Sequence, residues 1–211
     1  MIPTREEIEN ALKVRHGKAL HQKFSKAAVA VCGLGGLGSA IAIALARAGI
    51  GKLILIDFDR VDISNLHRQQ YKAVQIGKHK TEALCENLKE ISPYTELICH
   101  TVRLTRENAE EILKDADIIC EAFDDPKEKA MLANTVLEKL PKTYLIAASG
   151  MAGISSANQI RTRKITKYFY LCGDETNEVK DGLGLFAPRV MLCAAHQAHM
   201  ALRILAGEYE P

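Results

Sequence analysis

The chain has no C-x-x-C pair, no long apolar run and no excess of charge of either sign. Its six cysteines, at 32, 85, 99, 120, 172 and 193, are scattered. Such spacing gives no disulfide framework for a cytosolic chain of this size. Cys32, Cys99 and Cys120 instead lie in or beside apolar, strand-like runs, where a free thiol behaves as a small hydrophobe. No apolar stretch approaches the ~20 residues that cross a bilayer, and the charged, helical N-terminus does not read as a signal segment. The expected address is the cytoplasm. With 28 basic against 26 acidic residues and a net charge of +2, no global field draws the protein to nucleic acid or an anionic membrane. Repeats, low-complexity tracts and linkers are absent too. At 211 residues, 47% hydrophobic and 26% charged, the chain reads as one soluble domain, 1–211.

What is present concentrates between Val29 and Gln69. The apolar run Ala27-Ala28-Val29-Ala30-Val31-Cys32 passes straight into Gly33-Leu34-Gly35-Gly36-Leu37-Gly38. Ser39 to Gly49 follows as a helix of small and aliphatic residues, and Lys52-Leu53-Ile54-Leu55-Ile56 is a second strand ending at Asp57. Strand, glycine turn, helix, strand and terminal acid make a nucleotide-binding βαβ unit. Gly33 permits the tight turn, Gly35 and Gly36 let backbone N–H groups approach phosphate, and Gly38 lets helix and strand pack closely. The helix N-terminus holds negative charge. Asp57, 19 residues after Gly38, stands where such units place a carboxylate on a ribose hydroxyl.

A glycine pattern alone fits a dehydrogenase, a flavoprotein or a methyltransferase. The next stretch narrows the choice. Asp57-Phe58-Asp59-Arg60-Val61, running into Ser64-Asn65-Leu66-His67-Arg68-Gln69, closely resembles the ThiF/MoeB/HesA family, the short ThiF type above all. The resemblance covers roughly residues 10–207. It implies an adenylyltransferase that activates the C-terminal glycine of a small ubiquitin-like sulfur carrier ending in Gly-Gly, in thiamine or related cofactor biosynthesis. ATP and magnesium would be co-substrates and the assembly a homodimer. Many members hold a structural zinc on two C-x-x-C pairs; this chain has neither pair, so no zinc is expected. Three other readings stay open: an ATP-dependent tRNA dehydratase of the same family, a binding-only member without catalysis, and an NAD-dependent oxidoreductase.

The rest of the chain alternates strands and helices. Thr4-Arg5-Glu6-Glu7 is a capping box, and a helical segment over 1–25 breaks near Gly17. A helix over Gly77–Glu90, a strand over Thr95–Thr101, a short helix over Asn108–Lys114 and a buried strand over Asp117–Phe123 follow. A helix from Pro126 to about Leu140 and a strand over Thr143–Ala148 complete a nucleotide-binding core at 26–153. Residues 154–211 read as an antiparallel extension, a polar loop from Asp174 to Gly184 and a final helix over Ala187–Ala206. The fold expected is α/β: a Rossmann-like, doubly wound, mostly parallel sheet with helices on both faces.

Adenylation needs positioning and charge neutralisation more than a nucleophilic side chain. The resemblance implies that Ser64, Asn65, Arg68 and Gln69 meet the nucleotide beside Asp57 and Asp59, and that Lys80 neutralises phosphates. Lys78 is a competing assignment. Asp124, at a strand's C-terminal end, would bind magnesium; a hard cation wants one or two carboxylates beside phosphate oxygens. Asp125 either adds a second carboxylate or caps the following helix. Arg15 matches a family arginine offered to a partner subunit's site, while Lys18 stands where a second would be. Cys172 either ends a strand or bonds covalently to the carrier.

Overall fold

The computed structural model describes residues 2–177 and 184–211. Its elements in chain order are α1 (Arg5–His16), α2 (Lys18–Phe24), β1 (Ala28–Cys32), α3 (Gly36–Arg47), β2 (Lys52–Ile56), α4 (Lys80–Ile91), β3 (Glu96–His100), α5 (Ala109–Leu113), β4 (Ile118–Glu121), α6 (Pro126–Lys139), β5 (Tyr144–Ala148), β6 (Arg161–Lys164), β7 (Phe169–Gly173) and α7 (Ala187–Ala206). Among the described residues, seven strands form one sheet in the order β3-β2-β1-β4-β5-β7-β6. All pairings are parallel except β6 with β7 at one edge.

Alternation within the strands explains the layers. In β1, Val29 and Val31 face one apolar cluster with Leu37, Ile41 and Leu45 of α3, Leu84 and Leu88 of α4, and Val190 and Ala201 of α7. Ala30 and Cys32 face the other cluster, with Leu113 of α5 and Leu132 and Val136 of α6. A strand covered on both sides must be apolar throughout, and every residue of β1 and β4 is buried. The edges differ. β6 is Arg-Thr-Arg-Lys and largely exposed, which discourages further strand pairing. The Rossmann-like, doubly wound sheet with a short antiparallel edge is the fold expected from the sequence.

Two helix starts differ from the sequence expectation. α3 begins at Gly36 rather than Ser39, with Gly35 as its N-cap. α4 begins at Lys80 rather than Gly77. The chain before it stays extended because Val61 N–H donates to the Lys78 carbonyl and Arg60 bridges His79. The segment opening with Asp174 is a loop over its described part, as expected, and Asp174 is buried within it, accepting from the backbone N–H groups of Thr176 and Asn177. Its part at 178–183 lies outside the described residues. No helix among the described residues is long and apolar enough to cross a membrane.

Candidate functional site

The sheet's order places a crevice by topology. From β1 the chain winds outward through β2 and β3 on one side, then returns to β4 and β5 on the other. At this reversal the loops leaving β1 and β4 part, and open sheets bind ligands there. A cavity of about 520 Å³ opens at this point. Its lining includes Gly33, Gly35, Gly36, Asp57, Asp59, Asn65, Arg68, Gln69, Lys80 and Asp124.

One side of the cavity is the first turn of α3. Gly35 offers no side-chain cap, so the leading N–H groups of the helix have no side-chain acceptor. Asp57 closes the turn behind them. One carboxylate oxygen accepts from Leu34 N–H at 2.6 Å and the other from Asp59 N–H at 2.8 Å. Burial raises the Asp57 pKa, while Lys80 and those two N–H groups pull it back. Lys80 is nearly buried; its Nζ lies 2.9 Å from Asp59 and 3.8 Å from Asp57. Lys78, the competing assignment, instead pairs with Glu86 at 2.6 Å at the surface. Arg68 is steered by Asn65, whose Oδ1 accepts from Nη2 at 3.0 Å. The side-chain oxygen of Gln69 is buried without a partner.

The opposite wall is the β4–α6 turn. Asp124 is exposed there, and its carboxylate makes no hydrogen bond or ion pair among the described residues. Asp125 is the N-cap of α6, accepting from Lys127 and Glu128 N–H at 2.6 and 3.2 Å. Two expected site residues therefore sit elsewhere. Asp125 is spent as a cap and does not line the cavity. Ser64 is held outside it by Asp62, which accepts from both its N–H and its hydroxyl. Gly38 also lies behind the lining, where it allows α3 to meet the glycine turn.

Cys172 stands where the first of its two sequence readings has it, near the end of a strand. It lies inside β7, between β5 and β6, wholly buried. Burial pushes its thiol up to about 12. The covalent reading needs access, and neighbouring strands on both sides exclude solvent. Arg15 and Lys18, on α1 and α2, do not line the cavity.

Three charged lining residues, Arg103, Glu128 and Lys129, were not singled out from the sequence. Arg103 stacks over the Phe58 ring at 4.3 Å and pairs with Glu128 at 2.8 Å. Burial raises the Glu128 pKa; Arg103 opposes this, and the charges of Asp125, Asp124 and Asp59 reinforce it. Lys129 reaches back from α6 to the buried Glu121, with both carboxylate oxygens at 2.9 Å. Burial raises the Glu121 pKa against the pull of Lys129 and the N–H groups of Phe123 and Ala148. These pairs span separate elements and leave no local spacing to read.

Residues 9–211 match the ThiF family. The chain belongs to the ThiF family. The "Adenylyltransferase and sulfurtransferase UBA4" of Kluyveromyces lactis is 32% identical over 192 residues, covering 89% of this chain and 43% of that protein. The uba4 protein of Aspergillus niger is 40% identical over 152 residues, 72% of this chain and 29% of the relative. The chain thus spans less than half the length of these curated relatives. Among solved structures, the tRNA N6-threonylcarbamoyladenosine dehydratase TcdA of E. coli in complex with ATP superposes with a TM-score of 0.86 at 22% identity, covering 98% of both chains. E. coli MccB with succinimide gives 0.73 at 22% identity, over 95% of this chain and 65% of that one. Both likenesses establish the fold.

Proposed function

We propose that this ThiF-family chain adenylylates the C-terminal glycine of a small ubiquitin-like sulfur carrier protein, with ATP and magnesium, in thiamine or related cofactor biosynthesis. The observation that carries the reading is the convergence on one cavity of an uncapped helix N-terminus, Asp57, Arg68, Lys80 and Asp124. A nicotinamide enzyme would use the first two and leave the others without a role. The name shared by the curated relatives supports adenylylation.

In this reading the α3 N–H groups, Arg68 and Lys80 hold the phosphates, and Asp57 accepts from the ribose. Each oxygen of Asp57 already takes one backbone N–H, which leaves one lone pair on each. The partnerless oxygen of Gln69 fits a donor from the nucleotide. A hard cation fits beside Asp124 on the far wall, with Asp59 lining the same cavity from the β2 side and both charges reaching Glu128. Among the described residues, no group of three or more His, Cys, Asp or Glu could hold a metal ion. One or two carboxylates beside phosphate oxygens is the arrangement magnesium takes. Magnesium there would neutralise charge on the phosphates as pyrophosphate leaves. The carrier's carboxylate attacks the α-phosphorus, so this chain's residues orient and neutralise without forming a bond themselves.

The reading also makes the protein a cytoplasmic homodimer. α1 supports this: none of its residues is buried, and Val14 is 82% exposed. A second reading, ATP-dependent dehydration of a modified tRNA, has one observation in its favour, the end-to-end superposition on TcdA. The deciding assay is exchange of labelled pyrophosphate into ATP with a Gly-Gly carrier or with tRNA. Carrier-dependent exchange that Asp124→Ala abolishes, with an unchanged melting temperature, is expected. Exchange at full rate in that variant removes the magnesium assignment, and ATP turnover with tRNA alone overturns the carrier reading.

A further inference from the structure

Lys129 lines the cavity close to the residues assigned to phosphates and metal, yet it has nothing left to give a ligand. A lysine has three donors. Here the Nζ lies 2.9 Å from each oxygen of Glu121 and 2.8 Å from the Phe123 carbonyl. Glu121, only 1% exposed, also accepts from Phe123 N–H at 2.7 Å. Both polar backbone groups of the residue before Asp124 are therefore held by one ion pair. On the other side of Asp124, the Asp125 cap fixes the start of α6. Gln197 of α7 anchors the strand end, donating to the Glu121 carbonyl at 2.8 Å and the Ile146 carbonyl at 3.0 Å. The result is a pinned backbone carrying one unpaired carboxylate into the cavity.

A buried ion pair is a poor way to stabilise a fold, because desolvating two charges offsets most of their attraction. An apolar pair of similar volume would fill this space as well. What it could not do is grip both the N–H and the carbonyl of Phe123. We propose that Glu121 and Lys129 are positioning residues that set the direction of the Asp124 carboxylate, and through it the protein's hold on the divalent cation that accompanies the nucleotide. This rests on the nucleotide reading above.

The test is calorimetric titration of the full chain with ATP, with and without magnesium. The variants are Lys129→Met, Lys129→Arg and the double variant Glu121→Leu/Lys129→Met, which removes both charges and so leaves none buried alone. The gain in ATP affinity on adding magnesium should fall about tenfold or more in Lys129→Met and in the double variant. ATP affinity without magnesium should be unchanged, and Lys129→Arg should keep most of the gain. A folded double variant with the full magnesium gain overturns the proposal. So does an equal loss of affinity with and without magnesium, which marks a merely structural pair. Wild-type protein that binds no ATP at all overturns the nucleotide reading itself, a separate result.

Discussion

The glycine turn offers a sharp separation of folding from binding, because its glycines are needed for different reasons. A Cβ on Gly38 would lie 1.8 Å from the Gly33 carbonyl oxygen, and backbone cannot rotate away. On Gly33, whose φ is +90°, it would lie 2.8 Å from the Ala122 carbonyl oxygen. On Gly35 the nearest atom is the Gln69 amide nitrogen at 3.7 Å, an ordinary contact. Gly38→Ala should therefore destabilise by ~3 kcal/mol or more, at or above the upper range for overpacking. Gly35→Ala should change stability by about 0.5 kcal/mol or less, since reduced freedom of the unfolded chain offsets a poorer N-cap. Its methyl would nonetheless stand where phosphate approaches the backbone. Losing one hydrogen bond to a charged phosphate is worth roughly 1.5–3 kcal/mol, or about a 10- to 100-fold loss of ATP affinity. Urea unfolding and calorimetric titration with ATP measure the two effects separately. Gly35→Ala protein that binds ATP like wild type would refute the turn as the phosphate cradle. Gly38→Ala protein of full stability would refute the packing argument.

Two further outcomes follow from burial and charge. Burial alone would raise the Asp174 pKa, but Asn177, the backbone N–H of Thr176 and Arg189 hold it well below the ordinary range. A depressed folded pKa contributes stability that is full above the unfolded value, about pH 4, and is lost as pH falls through the folded value; acid titration of stability should be flatter below pH 4 in Asp174→Asn, and equal slopes would exclude this source. Cys172→Ala should cost about 1 kcal/mol for the small cavity it leaves and leave pyrophosphate exchange intact; loss of exchange without unfolding, or rapid alkylation of native Cys172, would restore a chemical role.

The βαβ unit was legible because its signals are local and redundant. Glycines at 33, 35, 36 and 38 can be read without the fold, as can the acid closing β2 and the apolar runs at Val29 and Leu53. Lys80 was legible only through the family spacing; the structure adds that Lys78 is occupied by Glu86 at the surface. The start of α4 was not legible, because the tie between Val61 and Lys78 that keeps the chain extended joins residues far apart in sequence. For Cys172 the sequence left two readings open, and topology bears on them. β7 belongs to the expected antiparallel edge with β6, but it also pairs in parallel with β5 on its other side, so its end is interior. Glu121 and Lys129 carry no pattern at all, since one closes a strand and the other lies a turn into the next helix.

Asp124 and Asp125 show most directly what the fold adds. They are chemically identical neighbours, and the sequence left Asp125 free to be a second ligand or a cap. Pro126 starts α6 and places residue 125 at the N-cap, where a carboxylate best accepts from the next two N–H groups. That satisfies Asp125 and turns it away from the cavity. Asp124, one residue earlier, stays in the turn after β4 and lines the crevice, with no side-chain partner among the described residues. The same two hydrogen bonds that begin the helix thus assign the roles. Moving the proline by one residue would be expected to exchange them.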